Sequence, residues 1–371
     1  MPIKLEKLEK QRNPLSVSLE INNVCNAKCT FCAYGKEKTE LDDVLSGDNP
    51  ILDNRPKQHL RKDVFDHTIE LCNTSGSGIL KKMSIQPTLG ESTVSKNWLD
   101  LIKAAKASKG VNSVSSYTNA VALQRFGSDA IIESGIDNLA VSSSLVDKKS
   151  YKRIYGRDKY EQSFFNILDL LRSNKKHGYP VDIYLNLRID LPEEDFFKSK
   201  QYKKISLYLE DRKISFLKKY DNFGGTIQEG DLPYGATFIS RSDNSKKPPC
   251  YQLYRQLMIN VDGTIQACTC RVDKSLWTRN IMEFTTLEDA WKNDKLEKIR
   301  MDWKNKGVLP KACTFCTHYA PYTQLSGYYS LIPRLKSYIF GFVKGGLIYV
   351  AYKKLMKDVG NVRASYVNEK R

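Results

Sequence analysis

Three cysteines near the start of the printed sequence are the residues best suited to chemistry. They stand in the run Cys25-Asn-Ala-Lys-Cys29-Thr-Phe-Cys32, a Cys-x3-Cys-x2-Cys spacing. Three thiolates on one short loop can bind three irons of a cubane cluster and leave the fourth iron open to activate a small molecule, whereas a fourth thiolate would make an electron carrier. A zinc knuckle is the alternative, although zinc sites usually pair two Cys-x2-Cys turns.

This loop resembles the signature of the radical S-adenosylmethionine (SAM) superfamily, and Phe31 matches the aromatic position favoured before the last cysteine. The resemblance implies that Cys25, Cys29 and Cys32 bind a [4Fe–4S] cluster whose open iron chelates SAM. It also implies that the reduced cluster cleaves SAM to a 5′-deoxyadenosyl radical, which abstracts a hydrogen atom from substrate. An electron donor such as flavodoxin or ferredoxin is then an expected partner.

The elements that must position this loop follow an alternating pattern. Apolar runs at residues 16–21, 82–87, 111–118, 138–142 and 182–189 alternate with helical patterns such as 98–107 and 164–176. Such alternation predicts an α/β fold of βαβ units with a parallel sheet. The cysteine loop follows the first strand, at the sheet end where ligands bind. The resemblance implies a partial (β/α)6 barrel.

Two segments after predicted strands resemble SAM-binding elements of the family. The tripeptide Leu-Gly90-Glu91 resembles the Gly-Gly-Glu segment, with leucine in place of the first glycine. Because a cationic amine needs acceptors and glycine allows close backbone approach, we expect Gly90 and Glu91 at the SAM ammonium. The sequence Thr-Asn119-Ala resembles a Thr-Asn-Gly element, which makes Asn119 a further expected SAM contact.

The fourth predicted strand ends in Ser142, which resembles the serine that hydrogen-bonds the SAM ribose. The adjacent Ser143 and Ser144 could take that role instead. In the segment that follows, Arg153 or Arg157 could pair with the SAM carboxylate as a fork donor. For either arginine, a solvated surface position is the alternative.

A second set of cysteines lies in the carboxy-terminal part, at Cys250, Cys268, Cys313 and Cys316. An Asp-Gly pair at 262–263 predicts a hairpin, with Cys250 before it and Cys268 on its returning strand. The layout resembles the SPASM/twitch extension of radical SAM enzymes, whose four thiolates would enclose a second [4Fe–4S] cluster. No cysteine follows Cys316, which favours the single-cluster twitch form or a truncated SPASM domain, and a zinc ribbon is the alternative.

Two cysteines stand outside these sets. Cys270 would share the face of Cys268 if the strand continued regularly, so it could be an alternate ligand or a hydrogen-atom donor to a substrate radical. Cys72 lies in a helical pattern and is expected to be buried packing.

Composition bounds the class of protein. The 371 residues, 41% hydrophobic and 27% charged, indicate a globular chain. We expect a radical SAM barrel at 15–220, an auxiliary-cluster domain at 221–325 and an amphipathic tail at 326–371. Residues 40–59 are expected to form an insertion, and residues 221–235 a loop or hairpin at the active-site mouth. The amino terminus shows no apolar signal segment and the nine cysteines are clustered, which favours the cytoplasm.

The formal net charge is +17, from 59 basic and 42 acidic residues. A solvated lysine-rich surface, phosphate-bearing substrates and anionic membrane would each suit this charge, and nucleic acid is the partner class least favoured. The apolar run 331–352 with basic flanks predicts either a helix that caps a domain or an interfacial helix on anionic lipid.

The expected activity is oxidation or epimerisation of a carbohydrate-type or other small molecule. An auxiliary cluster could accept an electron from the substrate radical and favour dehydrogenation, whereas a thiol such as Cys270 would favour epimerisation. The barrel begins near residue 15, which leaves no room for an amino-terminal peptide-recognition domain and favours a small or glycan-type substrate. A peptide maturase forming cross-links or thioethers, and a non-catalytic iron–sulfur or zinc module, are the alternatives.

Overall fold

The structure is a computed structural model of the chain. It describes residues 10–33, 55–75, 80, 82–211, 213–223, 226–239, 246, 249–314 and 316–319. These residues belong to one compact unit, Leu8–Pro321. The predicted 326–371 tail, most of the 40–59 insertion and the glycine pair at 224–225 lie outside the described residues.

A nine-stranded sheet forms the centre of this unit. Six parallel strands stand side by side in chain order, each paired with the next one along the chain. They are β1 (Ser16–Leu19), β2 (Lys82–Ile85), β3 (Val114–Thr118), β4 (Asn138–Ser143), β5 (Asp182–Leu187) and β6 (Ile214–Phe216). Their order and direction confirm the predicted α/β fold class.

Helices connect these strands. They are α1 (Lys62–Thr74), α2 (Trp98–Ala107), α3 (Ser128–Glu133), α4 (Lys148–Tyr155), α5 (Tyr160–Lys176), α6 (Glu193–Lys198) and α7 (Lys200–Ser206). α2 shows why they pack: Trp98, Ile102 and Ala105 recur at helical spacing and are fully buried. Cys72 on α1 is only 1% exposed, as expected of a packing residue.

Strands from the carboxy-terminal part of the chain extend the sheet beyond β1, on the side opposite β2. β9 (Gln256–Ile259) pairs with β1 in parallel, and β10 (Thr264–Gln266) and β11 (Trp277–Asn280) continue antiparallel. The predicted hairpin is present, and Gly263 adopts φ +88° in its turn. α8 (Leu287–Trp291), α9 (Asp294–Met301), a π-helix (Asp302–Lys306) and α10 (Lys311–Thr314) follow.

One local expectation, that Cys268 lies on the returning strand, was wrong. β10 ends at Gln266, so Cys268 lies just beyond the returning strand; the Gln266 side chain donates to the Cys268 carbonyl at 2.5 Å and turns the chain. Residues 221–235 were expected to form a loop or a hairpin, and the hairpin is excluded, because the flanking strands β7 (Lys219–Tyr220) and β8 (Thr237–Phe238) pair in parallel. Among the described helices, none has both the length and the apolar character needed to cross a membrane.

Candidate functional site

A cavity of about 380 Å³ opens at the carboxyl end of the parallel strands. It brings together all three cysteines of the first motif and the ends of β2, β3 and β4, as the sequence predicted. Most of the predicted contacts line it. These are Cys25, Cys29, Phe31, Cys32, Gly90, Glu91, Asn119, Ser142 and Arg157, joined by Lys28, Lys57, Thr118 and Tyr155 among others.

The cysteine loop is fastened to the carboxyl end of α4. The backbone N–H groups of Lys28 and Thr30 donate to the carbonyls of Tyr155 and Ile154, both at 3.0 Å. The last carbonyls of a helix have no partner within the helix, so the loop satisfies them. Gly156 makes this contact feasible, because a Cβ there would lie 2.1 Å from the Lys28 carbonyl oxygen, and its φ of +64° suits glycine.

Phe31 holds the other side of the loop. Its ring centroid lies 5.7 Å from those of Tyr155 and Tyr220. The Arg188 guanidinium covers the ring at 4.4 Å, a cation–π distance. The loop is therefore fixed by aromatic packing as well as by backbone bonds.

Gly90 and Glu91 line the cavity and also make close contacts and hydrogen bonds within the protein. A Cβ on Gly90, whose φ is +136°, would meet Asn22 Oδ1 at 2.7 Å and the Val24 carbonyl oxygen at 2.8 Å. The Glu91 carboxylate accepts bonds from the Thr93 and Thr118 hydroxyls and from the Thr93 and Asn119 backbone N–H groups. Most of its acceptor capacity is used within the protein.

The electrostatics of Glu91 reflect this position. Burial raises the pKa of its carboxyl, and bonds from Thr118, Thr93 and Asn119 oppose the rise. Asn119, its neighbour at the end of β3, donates from Nδ2 to Asn26 Oδ1 at 2.7 Å. Asn119 therefore braces the cysteine loop.

Ser142 is the serine of its run that lines the cavity, whereas Ser143 and Ser144 are fully buried. Its hydroxyl accepts a bond from Arg188 Nη1 at 2.6 Å and lies 3.1 Å from the Tyr155 hydroxyl. Arg188 was missed from the sequence. It directly follows β5, and the only available signal was a basic residue at the carboxyl end of a strand.

Of the two candidate arginines, only Arg157 lines the cavity. Arg153 forms an ion pair with Asp190 and donates to the Leu232 carbonyl at 3.1 Å. It is not among the cavity-lining residues, so its expected pairing with the SAM carboxylate is not supported. Arg157 lines the cavity, as does Lys57, which the sequence analysis missed. Within the described ranges, neither forms an ion pair.

The first cysteine set fits a thiolate-bound cluster by the chemistry of its donors. Burial raises the pKa of the Cys29 thiol, and the Cys32 and Cys25 thiols raise it further, while Arg188 opposes them. The three thiols therefore influence one another electrostatically. Binding of iron would offset the cost of their negative charges, because the metal favours deprotonated thiols.

The second cysteine set also gathers at one place. A small cavity of about 20 Å³ is lined by Cys250, Cys268, Cys270, Cys313, Cys316 and His318. Burial raises the pKa of the Cys313 thiol, and Cys316 and Cys250 add to the rise. Among the described side chains, no three His, Cys, Asp or Glu residues converge closely enough to hold a single metal ion. All-thiol donors are those that iron–sulfur clusters use.

Cys270 reaches this set through a turn, because the strand on which the prediction depended has already ended. Its backbone N–H donates to Cys268 Sγ at 3.3 Å. The next residue, Arg271, forms a buried ion pair with Asp221. Burial raises the pKa of the Cys316 thiol, and Arg271 opposes that rise.

Comparison with protein families identifies the second set. The SPASM family, an iron–sulfur cluster-binding domain, matches residues 250–317. That range includes the four cysteines of the second set and Cys270.

Known proteins resemble the chain over different extents. A GTP 3',8-cyclase of Chlorobaculum tepidum is 27% identical over 39% of this chain and 38% of its own length. A probable GTP 3',8-cyclase of Saccharolobus islandicus is 21% identical over 73% of this chain and 88% of its own length.

The fold has a solved counterpart. SuiB of Streptococcus suis bound to S-adenosylmethionine is 15% identical, with a TM-score of 0.51 over 86% of this chain and 76% of SuiB. SuiB has also been solved bound to its precursor peptide SuiA. The cysteine loop, the parallel sheet and the SPASM match agree, and they confirm the predicted cofactors, SAM and [4Fe–4S] clusters. Together these findings support a radical SAM enzyme with a carboxy-terminal SPASM domain.

Proposed function

We propose that this protein oxidises a small-molecule substrate, of carbohydrate type or similar, by radical dehydrogenation. When bound, the catalytic cluster and SAM supply a 5′-deoxyadenosyl radical able to take a hydrogen atom. The substrate would lose that atom and then a proton and an electron, a two-electron oxidation overall. The auxiliary cluster would supply the electron-accepting centre.

The residues of the cavity have distinct roles in this proposal. Cys25, Cys29 and Cys32 hold the catalytic cluster, and α4 holds their loop. Ser142 offers the cavity a hydroxyl whose orientation is set by Arg188. The remaining cavity-lining candidates, Phe31, Gly90, Glu91 and Asn119, shape the wall between the loop and the strand ends.

Charge in the cavity supports an anionic ligand group. Lys57 and Arg157 line it, while the carboxylate of Glu91 is engaged by threonine and asparagine donors. Arg157 suits the SAM carboxylate, since a guanidinium binds a carboxylate through two parallel bonds. Lys57 is then available to an oxyanion of the substrate.

The position of Cys270 favours dehydrogenation over epimerisation. A thiol that returns a hydrogen atom must face the substrate, yet Cys270 lies with the auxiliary cysteines and not among the residues that line the SAM cavity. With its backbone N–H directed to Cys268 Sγ, Cys270 suits a neighbour or alternate ligand of the auxiliary cluster. Cys270 is therefore not suited to donate the hydrogen atom that epimerisation requires.

Two other substrate classes have a specific observation in their favour. A sequence match over 73% of this chain is to a protein named probable GTP 3',8-cyclase, which favours ring formation on a nucleotide. The SuiB structure with a precursor peptide favours a peptide substrate on a similar fold. Release of 5′-deoxyadenosine in the presence of each candidate class would separate them from a small carbohydrate.

Iron content tests the assignment of the cysteines. After anaerobic reconstitution we expect about eight irons per chain, and about four in the Cys25→Ala/Cys29→Ala/Cys32→Ala variant. About four irons falling to none, with zinc present, would mean that the second set is structural, and the proposed electron acceptor would be lost.

SAM cleavage tests the enzymatic role. Under dithionite, the reconstituted protein should release 5′-deoxyadenosine, and the triple variant should not. Cys72→Ala is the matched control, because Cys72 is buried in α1 and lines neither of the two cysteine-lined cavities. A wild type that holds its iron but cleaves no SAM would instead support the non-catalytic binding module.

A further inference from the structure

A buried arginine stands next to the auxiliary cysteines. Arg271 directly follows Cys270 and is only 4% exposed. Its Nη2 forms an ion pair with Asp221, whose side chain is 1% exposed. Its guanidinium also lies 4.5 Å from the centre of the Phe223 ring. These contacts fix a cation at one side of the thiol set.

The guanidinium has hydrogen-bonding capacity left over. Within the described part of the chain, Arg271 Nη1 is buried and has no acceptor. A buried donor without an acceptor costs about 1–3 kcal/mol, and a bound ion, an ordered water or a redox role are among the explanations for such a group. A thiolate-bound cluster would bring negative charge and sulfur acceptors to this place.

Asp221 has a second neighbour at the same site. His318, which lines the auxiliary cavity, places Nε2 3.8 Å from Asp221 Oδ2. The carboxylate therefore joins the arginine to the wall of the cavity. Asp221 also immediately follows Tyr220, whose ring contacts Phe31 of the cysteine loop.

We propose that Arg271 makes the reduction potential of the auxiliary [4Fe–4S] cluster more positive, while Asp221 positions the guanidinium and offsets part of its charge. Reduction adds one negative charge to a cluster, and a fixed buried cation favours the more negative state. The N–H bond from Cys270 to Cys268 Sγ acts in the same direction. The inference rests on the proposed function only in requiring that this cysteine set hold a cluster.

Opposite charge changes test the proposal. Arg271→Met keeps an apolar stem but removes the cation, so the midpoint potential of the auxiliary cluster should become more negative. Asp221→Asn leaves the cation less compensated, so the potential should become more positive. Arg271→Lys keeps the charge and should stay close to wild type. Each is measured by redox titration of the reconstituted full chain, followed by electron paramagnetic resonance.

The control is another arginine–aspartate pair in the same part of the chain. Arg279 and Asp294 form an ion pair at 2.8 Å, but both side chains are largely exposed. Arg279→Met should leave the potential unchanged, because solvent screens exposed charges. Shifts of the same sign in Arg271→Met and Asp221→Asn, or no shift in either, would overturn the proposal.

Iron counting and SAM cleavage on the same samples distinguish the role of Arg271 from the presence of the auxiliary cluster. Unchanged potentials with about eight irons and normal SAM cleavage would contradict the role of Arg271 alone. A wild type with about four irons would contradict the auxiliary cluster itself. If Arg271→Met loses the auxiliary iron, the comparison of Asp221→Asn with Arg271→Lys still decides the sign.

Discussion

Ser142 illustrates how a cavity residue depends on a side chain behind it. A serine hydroxyl rotates freely unless a partner fixes it, and here Arg188 Nη1 donates to the oxygen at 2.6 Å. That donation leaves the hydroxyl proton available to Tyr155 or to a ligand in the cavity. The same guanidinium covers Phe31, so one residue links the ribose candidate to the cysteine loop.

This link predicts non-additive effects on SAM binding. Ser142→Ala should weaken binding roughly threefold to tenfold, the range for a neutral hydrogen bond. Arg188→Met should weaken it about tenfold or more, because it also releases Phe31. Because both changes remove the same contact, the double variant should bind about as weakly as Arg188→Met. Equilibrium binding of SAM to the reconstituted proteins measures all three.

Arg125→Met is a suitable control for this comparison, because Arg125 donates only a long 3.4 Å bond to the Thr93 carbonyl. Its SAM affinity should match that of the wild type. Fully additive losses in the double variant would show that Arg188 and Ser142 act on the ligand independently.

At the scale of elements, the carboxyl end of α4 is the support of the cysteine loop. Two loop N–H groups satisfy its final carbonyls, and Gly156 permits their approach. A helix end with fixed partners is a rigid platform, which a thiol-bearing loop needs if three sulfurs are to bind one cluster. Substitution at Gly156 should therefore act on the loop before it acts on the helix.

Gly156→Ala should lower the iron content from about eight to about four per chain, by loss of the catalytic cluster. Its Cβ would lie 2.1 Å from the Lys28 carbonyl oxygen, so the loop must move. Gly178→Ala is the matched control: Gly178 follows α5 with φ +78°, but nothing lies within 4 Å of its Cβ position. It bears only the left-handed backbone cost of about 1–2 kcal/mol.

The control should therefore retain about eight irons and lose only stability, as measured by thermal unfolding. Equal iron contents in the two alanine variants would show that the contact between Gly156 and Lys28 does not position the loop.

Local sequence patterns predicted the helices and strands better than they predicted contacts between side chains distant in sequence. The helix at 98–107 matches α2, because a helical apolar stripe is a local property. The strand at 111–118 begins only at Val114, and the strand at 182–189 ends at Leu187, because hydrogen-bonded pairing and not composition sets strand ends. The spacing of the cysteines predicted which of them gather. Arg188 escaped prediction because its importance depends on side chains distant in sequence.

At the scale of the whole molecule, the sheet runs without interruption from β11 to β6. β1 lies between β2 of the barrel and β9 of the SPASM region, about 240 residues later in the chain, and no local pattern encodes that pairing. Glu20, fully buried, pairs with Arg55 at 2.8 Å and accepts the Val261 N–H at 3.3 Å. The residues on both sides of the expected boundary at 220 and 221 therefore belong to one compact unit.

A chain ending at residue 220 should consequently fail to fold as a soluble monomer. It would expose the edge of β1, which otherwise pairs from Ser16 to Leu19 with β9, and such edges promote aggregation. It would also remove the Val261 N–H from the buried Glu20 carboxylate. A chain ending at Pro321 keeps the compact unit and should fold. Size-exclusion chromatography and circular dichroism compare them; a monomeric 1–220 chain that melts cooperatively would show that the barrel does not require the SPASM strands.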